Sequence, residues 1–161
     1  MKYHIIEPID VSSILINFAK INKEIIWTES NQGKQTGLQY KLGEDPWTSA
    51  VGKSQGQELQ YTELNPFFKN TIFETIIEKY NLKRTRLMWV NPKSCYSLHQ
   101  DETPRLHIPL VTNSECYFLF NPGGIFHLPA GSVWWVNTQL LHTFLNCSNQ
   151  SRLHLVGIVE K

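Results

Sequence analysis

The chain has 161 residues, 41% of them hydrophobic and 18% charged, which suits one domain that buries a substantial core without needing a disulfide or a metal. Its formal charge of +1 argues against nonspecific nucleic-acid binding and against a polybasic membrane anchor. No apolar run approaches the ~20 residues of a membrane helix, and three cysteines cannot form a closed disulfide framework. We therefore expect a soluble cytoplasmic protein with no nucleic-acid or membrane partner.

Two helices are predicted in the first half of the chain. Asp10 is a suitable N-cap for a helix whose apolar stripe includes Ile14 and Phe18. A second helix is predicted to open at Asn65-Pro66 and to continue to Tyr80, because apolar residues recur there at helical spacing. Both stripes are interpreted as core.

Residues 30–60 are rich in Gly, Gln, Ser and Thr, which predicts long loops with one short strand near residues 38–41. One interpretation is a variable surface excursion. The other is a lid or substrate-recognition loop, since long loops in compact domains often carry function.

From residue 83 the pattern changes to short apolar and β-branched runs separated by turn signals, which favours a β-sandwich or barrel over βαβ units. The prediction is a mainly β protein with one domain over residues 1–161. Its helical and loop-rich part, residues 1–82, packs on a jelly-roll core formed by residues 83–161. The predicted strands of that core are Arg86–Val90, Leu106–Thr112, Cys116–Phe120, Ser132–Val136, His142–Asn146 and Leu153–Val159.

The pattern His99-Gln-Asp101, followed much later by His142, is the most informative feature of the sequence. Residues i and i+2 of an extended chain point to the same side, so the imidazole of His99 and the carboxylate of Asp101 can converge. Two histidines and one carboxylate form the facial triad of non-haem Fe(II) oxygenases, which leaves positions open for a cosubstrate and O₂. His99 and Asp101 are therefore predicted to be two such iron ligands, and a third ligand must come from elsewhere in the fold.

Arg152 and His154 follow on a predicted strand, where they share one face. A buried guanidinium with no acidic partner nearby in sequence needs an anion, and arginine binds a carboxylate through two parallel hydrogen bonds. A dicarboxylate ligand would supply that anion, and His154 would add a donor to the same carboxylate.

These residues and their surroundings resemble the aspartyl/asparaginyl β-hydroxylase family of Fe(II)/2-oxoglutarate dioxygenases. The resemblance spans roughly residues 84–159. It rests on the His99-x-Asp101, His142 and Arg152 set and on the segments that surround it. Those segments are Arg86-Leu-Met88, Asn91-Pro92, Arg105-Leu-His107-Ile-Pro-Leu, Pro129-Ala-Gly131-Ser-Val-Trp-Trp-Val-Asn137 and Ser151-Arg152-Leu-His154-Leu.

The resemblance implies a double-stranded β-helix in which His99, Asp101 and His142 hold Fe(II) and Arg152 binds the distal carboxylate of 2-oxoglutarate. It implies hydroxylation of an unactivated C–H bond with O₂, with release of succinate and CO₂. Animal members lack the metal carboxylate that Asp101 supplies in this chain. A serine that helps to bind 2-oxoglutarate in those members aligns with Met88, so donor help is expected from His154.

The remaining candidates line the predicted pocket. His107 is expected near the cosubstrate, and Arg105, Asn137 and Trp135 near the substrate. The substrate is predicted to be a small-molecule amino acid or an Asp/Asn-type side chain in a peptide or protein.

Two other functions remain open at this stage. One is a cupin-like metal-binding protein or isomerase that does not use 2-oxoglutarate and has no need of Arg152. The other is a non-catalytic binding module with a degenerate site.

Overall fold

The computed structural model describes residues 1–54 and 56–160, which contain two α-helices and thirteen short strands. Among these residues, neither helix has the length and apolar character needed to cross a membrane. Short 3₁₀ turns cover Asn22–Glu24, Glu58–Gln60 and Pro66–Phe68. The helices are α1 (Val11–Ile21) and α2 (Ile72–Lys79), and the strands are β1 (Tyr3–Pro8), β2 (Thr28–Ser30), β3 (Gly33–Gly37), β4 (Gln39–Tyr40), β5 (Glu63–Leu64), β6 (Lys83–Val90), β7 (Ser94–Cys95), β8 (Arg105–Val111), β9 (Cys116–Phe120), β10 (Gly124–Phe126), β11 (Ser132–Val136), β12 (His142–Asn146) and β13 (Arg152–Ile158).

Two antiparallel sheets form the body of the protein. The larger has seven strands in the order β1-β11-β8-β13-β6-β3-β2, and the smaller has four in the order β10-β9-β12-β7. Strands that are distant in sequence are neighbours in both sheets, as in a double-stranded β-helix. The predicted mainly β jelly roll with flanking helices is therefore confirmed.

Alternate residues of β8 and β13 point to opposite faces of the seven-stranded sheet. On the outer face, Leu106 and Leu155 pack in one core cluster with Ile14 of α1 and Phe73 of α2. The inner face is turned toward the four-stranded sheet, whose aromatic residues, Phe118 among them, form a second cluster. Polar residues of these two strands occupy the inner face and are nevertheless buried: Arg105, His107, Arg152 and His154.

The first predicted helix is confirmed as α1. The Asp10 carboxylate caps it by accepting a hydrogen bond from the backbone N–H of Ser13 at 3.2 Å. Ile14 and Phe18 are its buried residues, as the stripe predicts.

The prediction of one helix from Asn65 to Tyr80 is wrong. Asn65 caps only a 3₁₀ turn, and the chain then leaves helical geometry at Lys69, which is extended, and at Asn70, whose φ of 61° is left-handed. The helix starts again at α2, where the Thr71 hydroxyl accepts a hydrogen bond from the N–H of Phe73 at 3.3 Å. Helical spacing of apolar residues persists across this break, which explains why the pattern predicts a single helix.

The seven-stranded sheet also takes β1, β2 and β3 from residues 1–82, which corrects the expectation that the β core begins at residue 83. β1 is an exposed edge strand, so its side chains do not alternate between buried and exposed positions. Without that alternation the sequence pattern does not indicate a strand. β3 contains two glycines, a residue that in a sequence pattern indicates a loop. A Cβ atom at Gly33 would lie 1.9 Å from the Trp89 carbonyl oxygen, so the close approach of β3 to β6 requires glycine there.

Candidate active site

A cavity of about 420 Å³ lies between the inner face of the large sheet and the four-stranded sheet. Residues 52–54 and Glu58 also line it, which favours the recognition-loop interpretation of residues 30–60 over a surface excursion. The charged and titratable residues that line the cavity are Lys53, Glu58, Arg84, Arg86, Tyr96, His99, Asp101, Glu102, Arg105, His107, His142 and Arg152.

The three predicted metal ligands converge at one part of this cavity. His99 and His142 form an antiparallel backbone bridge, with N–H to carbonyl distances of 2.9 Å in both directions, and their ring centroids are 4.4 Å apart. Asp101 is fixed by its backbone N–H, which donates to the Thr138 carbonyl at 2.8 Å. One donor atom from each of the three side chains lies within 4.8 Å of the other two.

Backbone carbonyls orient both imidazoles. Nδ1 of His99 lies 2.8 Å from the Ser97 carbonyl oxygen, and Nδ1 of His142 lies 2.9 Å from that of Leu140. An Nδ1–H bonded to a carbonyl leaves the Nε2 lone pair as the metal-binding donor. Each Nε2 lies 3.9 Å from a carboxylate oxygen of Asp101. Two imidazoles and one carboxylate fit Fe(II), so the residues present suit the metal that the triad implies.

Arg152 and His107 lie in the same cavity, with His154 directly behind Arg152. The Arg152 guanidinium stacks on the ring of Phe144 at 3.5 Å and contacts Nδ1 of His154. Burial lowers the pKa of Arg152 to about 9, and no carboxylate pairs with its guanidinium in the part of the chain that the structure describes. Burial, together with the neighbouring Arg152, also lowers the pKa values of His107 and His154 well below the ordinary value. Both histidines are therefore neutral at pH 7.

Three further residues that were not predicted line this region: Arg86, Gln35 and Tyr96. Arg86 is buried on the inner face of β6, and its guanidinium donates to the amide oxygen of Gln35 at 3.1 Å. Burial, together with repulsion from Arg84 and Arg105, lowers its pKa to about 9. The signal was present, because Arg86 is separated from Met88 by one residue of a predicted strand and so shares its face.

Arg105 lines the cavity as predicted, but its guanidinium is already engaged. It contacts Glu58, whose carboxylate also accepts from Nη1 of Arg84 at 2.7 Å, and it lies 3.3 Å from an Asp101 carboxylate oxygen. Glu58 was not predicted as a site residue. Arg105 was expected near the substrate, but its charge is already paired with an acid of the chain, so it offers no free guanidinium to a substrate carboxylate.

Trp135 and Asn137 do not line the cavity, contrary to prediction. Trp135 lies on the outer face of β11, opposite Leu106, and stacks on His4 with ring centroids 5.1 Å apart. Asn137 follows the last residue of β11, and its backbone N–H bonds to the Lys2 carbonyl at 2.8 Å. Their neighbour Trp134 takes the inner face instead, since strand residues alternate.

Comparisons with known proteins agree with this fold. A family model described as aspartyl/asparaginyl β-hydroxylase matches residues 15–161. The L-proline cis-4-hydroxylase of Rhizobium meliloti (strain 1021) is 33% identical over an alignment 95 residues long, which covers 55% of this chain and 34% of that protein. The match thus spans about a third of the length of that curated relative.

Two solved structures show the same fold at low identity. One is the viral collagen prolyl hydroxylase vCPH from Paramecium bursaria Chlorella virus-1 in its 2OG complex, with a TM-score of 0.57, 15% identity, and coverage of 99% of this chain and 96% of that one. The other is an oxidoreductase of the 2OG-Fe(II) oxygenase family from Burkholderia pseudomallei, with a TM-score of 0.57, 14% identity, and coverage of 92% and 76%. Since the family model spans nearly the whole chain, this protein belongs to the aspartyl/asparaginyl β-hydroxylase family.

Proposed function

We propose that the protein is an Fe(II)- and 2-oxoglutarate-dependent oxygenase that hydroxylates a carboxylate-bearing amino acid. One observation carries the proposal: a single cavity contains both the His99, Asp101 and His142 donor cluster and the buried Arg152 guanidinium. A ligand with a carboxylate at each end matches that arrangement, because one end reaches the metal and the other pairs with the arginine.

The spacing of the two groups suits a short dicarboxylate. His142 and Phe144 are two residues apart on one face of β12, a separation of about 7 Å, and Arg152 stacks on the Phe144 ring. Bound Fe(II) would supply the activation of O₂.

The protein residues would bind and orient the ligands. Arg152 would fix the distal carboxylate of 2-oxoglutarate, and His154 would keep the Arg152 guanidinium in place. His107 has a buried Nε2 with no hydrogen-bond partner among the described residues, so this nitrogen is available to the cosubstrate. Neutral histidines add no charge that would compete with the guanidinium for the carboxylate.

Arg86 would bind the substrate carboxylate in place of Arg105. Its guanidinium is buried beside the cavity, and its hydrogen bond to Gln35 leaves its charge without a counter-ion among the described residues. A carboxylate would supply the counter-ion. The relative named as an L-proline hydroxylase supports a free amino acid as the substrate.

The cosubstrate assignment is tested by anaerobic titration of the apoprotein with Fe(II) and 2-oxoglutarate, following the weak visible charge-transfer band of the chelate. We expect the band in wild type, its loss in His142→Ala, and a weakening of 2-oxoglutarate affinity by about 30-fold or more in Arg152→Met. Trp135→Phe is the matched control, because Trp135 lies outside the cavity. Fe(II) binding without the band would favour a cupin-like protein, and no Fe(II) binding would favour a degenerate site.

The substrate assignment is tested by measuring succinate release with free amino acids and with their carboxamides. A free carboxylate should be required, and Arg86→Met should raise KM for the substrate without changing the affinity for 2-oxoglutarate. Equal turnover of an amino acid and its carboxamide would reject Arg86 as the anchor and would favour a side chain within a peptide.

A further inference from the structure

Glu58 is a buried acid in the wall of the cavity. It belongs to a short 3₁₀ turn in the loop-rich part of the chain, and only 3% of it is exposed. One carboxylate oxygen accepts from Arg84 at 2.7 Å and also contacts Nη2 of Arg105, and the other accepts from the Thr103 hydroxyl at 2.9 Å. These charged hydrogen bonds, which outweigh desolvation, lower the pKa of Glu58, so it is ionised at pH 7.

Arg105 connects this acid to the metal-binding cluster. Its Nη2 atom contacts Glu58 and also lies 3.3 Å from Oδ1 of Asp101. Its Nη1 atom is held by Thr103, whose carbonyl oxygen accepts at 3.1 Å. The charges therefore form a continuous chain in which the Arg105 guanidinium lies between the carboxylates of Glu58 and Asp101.

The sign of each charge determines what this chain does. A guanidinium beside a carboxylate competes with a metal for the electron pairs of that carboxylate. Glu58 binds the same guanidinium, so the hydrogen bonding between Arg105 and the Asp101 carboxylate is weaker than it would be without Glu58. Without Glu58, the buried charge of Arg105 would have Asp101 as its only acid partner among the described residues.

We propose that Glu58 is a positioning residue: by holding Arg105 it leaves the Asp101 carboxylate free to bind the metal. The inference rests on the proposed function, since it takes Asp101 as a ligand. It gives the segment around residue 58 a role in the metal site itself. Arg84, through its bond to the Gly52 carbonyl at 2.5 Å, ties the same segment to β6.

The test is anaerobic titration with Fe(II) and with Co(II), whose visible bands report its coordination. Glu58→Gln keeps the size of the side chain and removes its charge, and we expect metal affinity to fall by about 10–100-fold. Glu44→Gln is the matched control, because it removes an exposed acid of the same loop-rich part that pairs only with Lys41 among the described residues. It should bind metal as wild type does.

The double variant Glu58→Gln/Arg105→Gln separates positioning from a merely structural role. If Glu58 acts through Arg105, its loss should have no further effect on metal affinity once Arg105 is replaced. If Glu58 only anchors its loop, the same loss should appear in both backgrounds, and that outcome would overturn the inference.

Two further outcomes are informative. Glu58→Asp keeps the charge, so its metal affinity should fall less than that of Glu58→Gln. If Glu58→Gln fails to fold, Glu58→Asp replaces it and is compared with and without Arg105→Gln. Wild-type binding with unchanged affinity in the Glu58 variants overturns this inference alone, whereas absence of metal binding in wild type overturns the proposed function as well.

Discussion

The two faces of the seven-stranded sheet use the same strands for opposite purposes. On β13, Leu153 and Leu155 point outward into the helix-covered core, while Arg152 and His154 point inward and are equally buried. The outer face gains free energy by removing apolar surface from water. The inner face pays a desolvation cost for polar groups that are left without partners in the described part of the chain. The difference indicates that the outer face provides stability, and it agrees with the proposed use of the inner face for ligand binding.

The largest effect on stability is expected from the outer face. Leu155→Ala should lower the free energy of unfolding by about 2–5 kcal/mol, because it removes buried methyl groups and leaves a cavity next to the helices. Denaturant unfolding of the apoprotein measures this change.

Arg152→Met on the same strand is the inner-face counterpart of this variant. It should leave the stability of the apoprotein equal to or above that of wild type, since it removes a buried charge that has no acid partner among the described residues. A loss as large as that of Leu155→Ala would mean that the inner face also stabilises the fold, and the comparison would fail.

The next effect is the pH dependence of stability, which belongs to the inner face. His107 and His154 have pKa values well below 6.5 in the folded state, and the unfolded chain restores the ordinary value. Below pH 6.5 the unfolded chain therefore binds protons that the folded state does not, and stability falls as the pH falls. The slope is about 1.4 kcal/mol per pH unit for each histidine.

Unfolding measured between pH 7.5 and 5 in wild type and in His154→Gln checks this expectation. The variant should show the shallower slope, because it removes one of the two buried neutral histidines. Parallel curves for wild type and His154→Gln would show that His154 does not contribute.

The smallest effect is expected at Trp135, which was predicted to lie near the substrate and instead lies on the outer face of the sheet. Trp135→Phe should cost about 0.5–1 kcal/mol through weaker stacking on His4 and should leave the substrate KM unchanged. Denaturant unfolding and succinate release measure the two quantities. A raised KM with unchanged stability would restore the role that the sequence suggested.

The sequence predicted the central strands and the metal cluster, because both depend on short-range patterns. Alternation on β8 and β13 and the spacing of His99 and Asp101 are local features, and the resemblance added His142 as the third metal ligand. β1 and β3 were missed because an exposed edge strand does not alternate and because glycine normally indicates a loop.

Glu58 was missed for a different reason. It lies in a polar segment that has no apolar periodicity. Its burial depends on Arg84 and Arg105, which follow 26 and 47 residues later. Only the folded chain brings these charges together.

The position of β13 at the centre of the large sheet has a consequence for how the protein is made. β6 and β8 are synthesised before β13, the strand with which both of them pair. Tyr3 of β1 likewise cannot pair with Val136 of β11 until that strand has been synthesised. Pairing between such distant segments slows folding and leaves strand edges exposed during synthesis. The nascent chain carries all three proposed metal ligands before it can enclose them. Closure of the site and completion of the sheet are then one event, which occurs when Arg152 and its strand arrive.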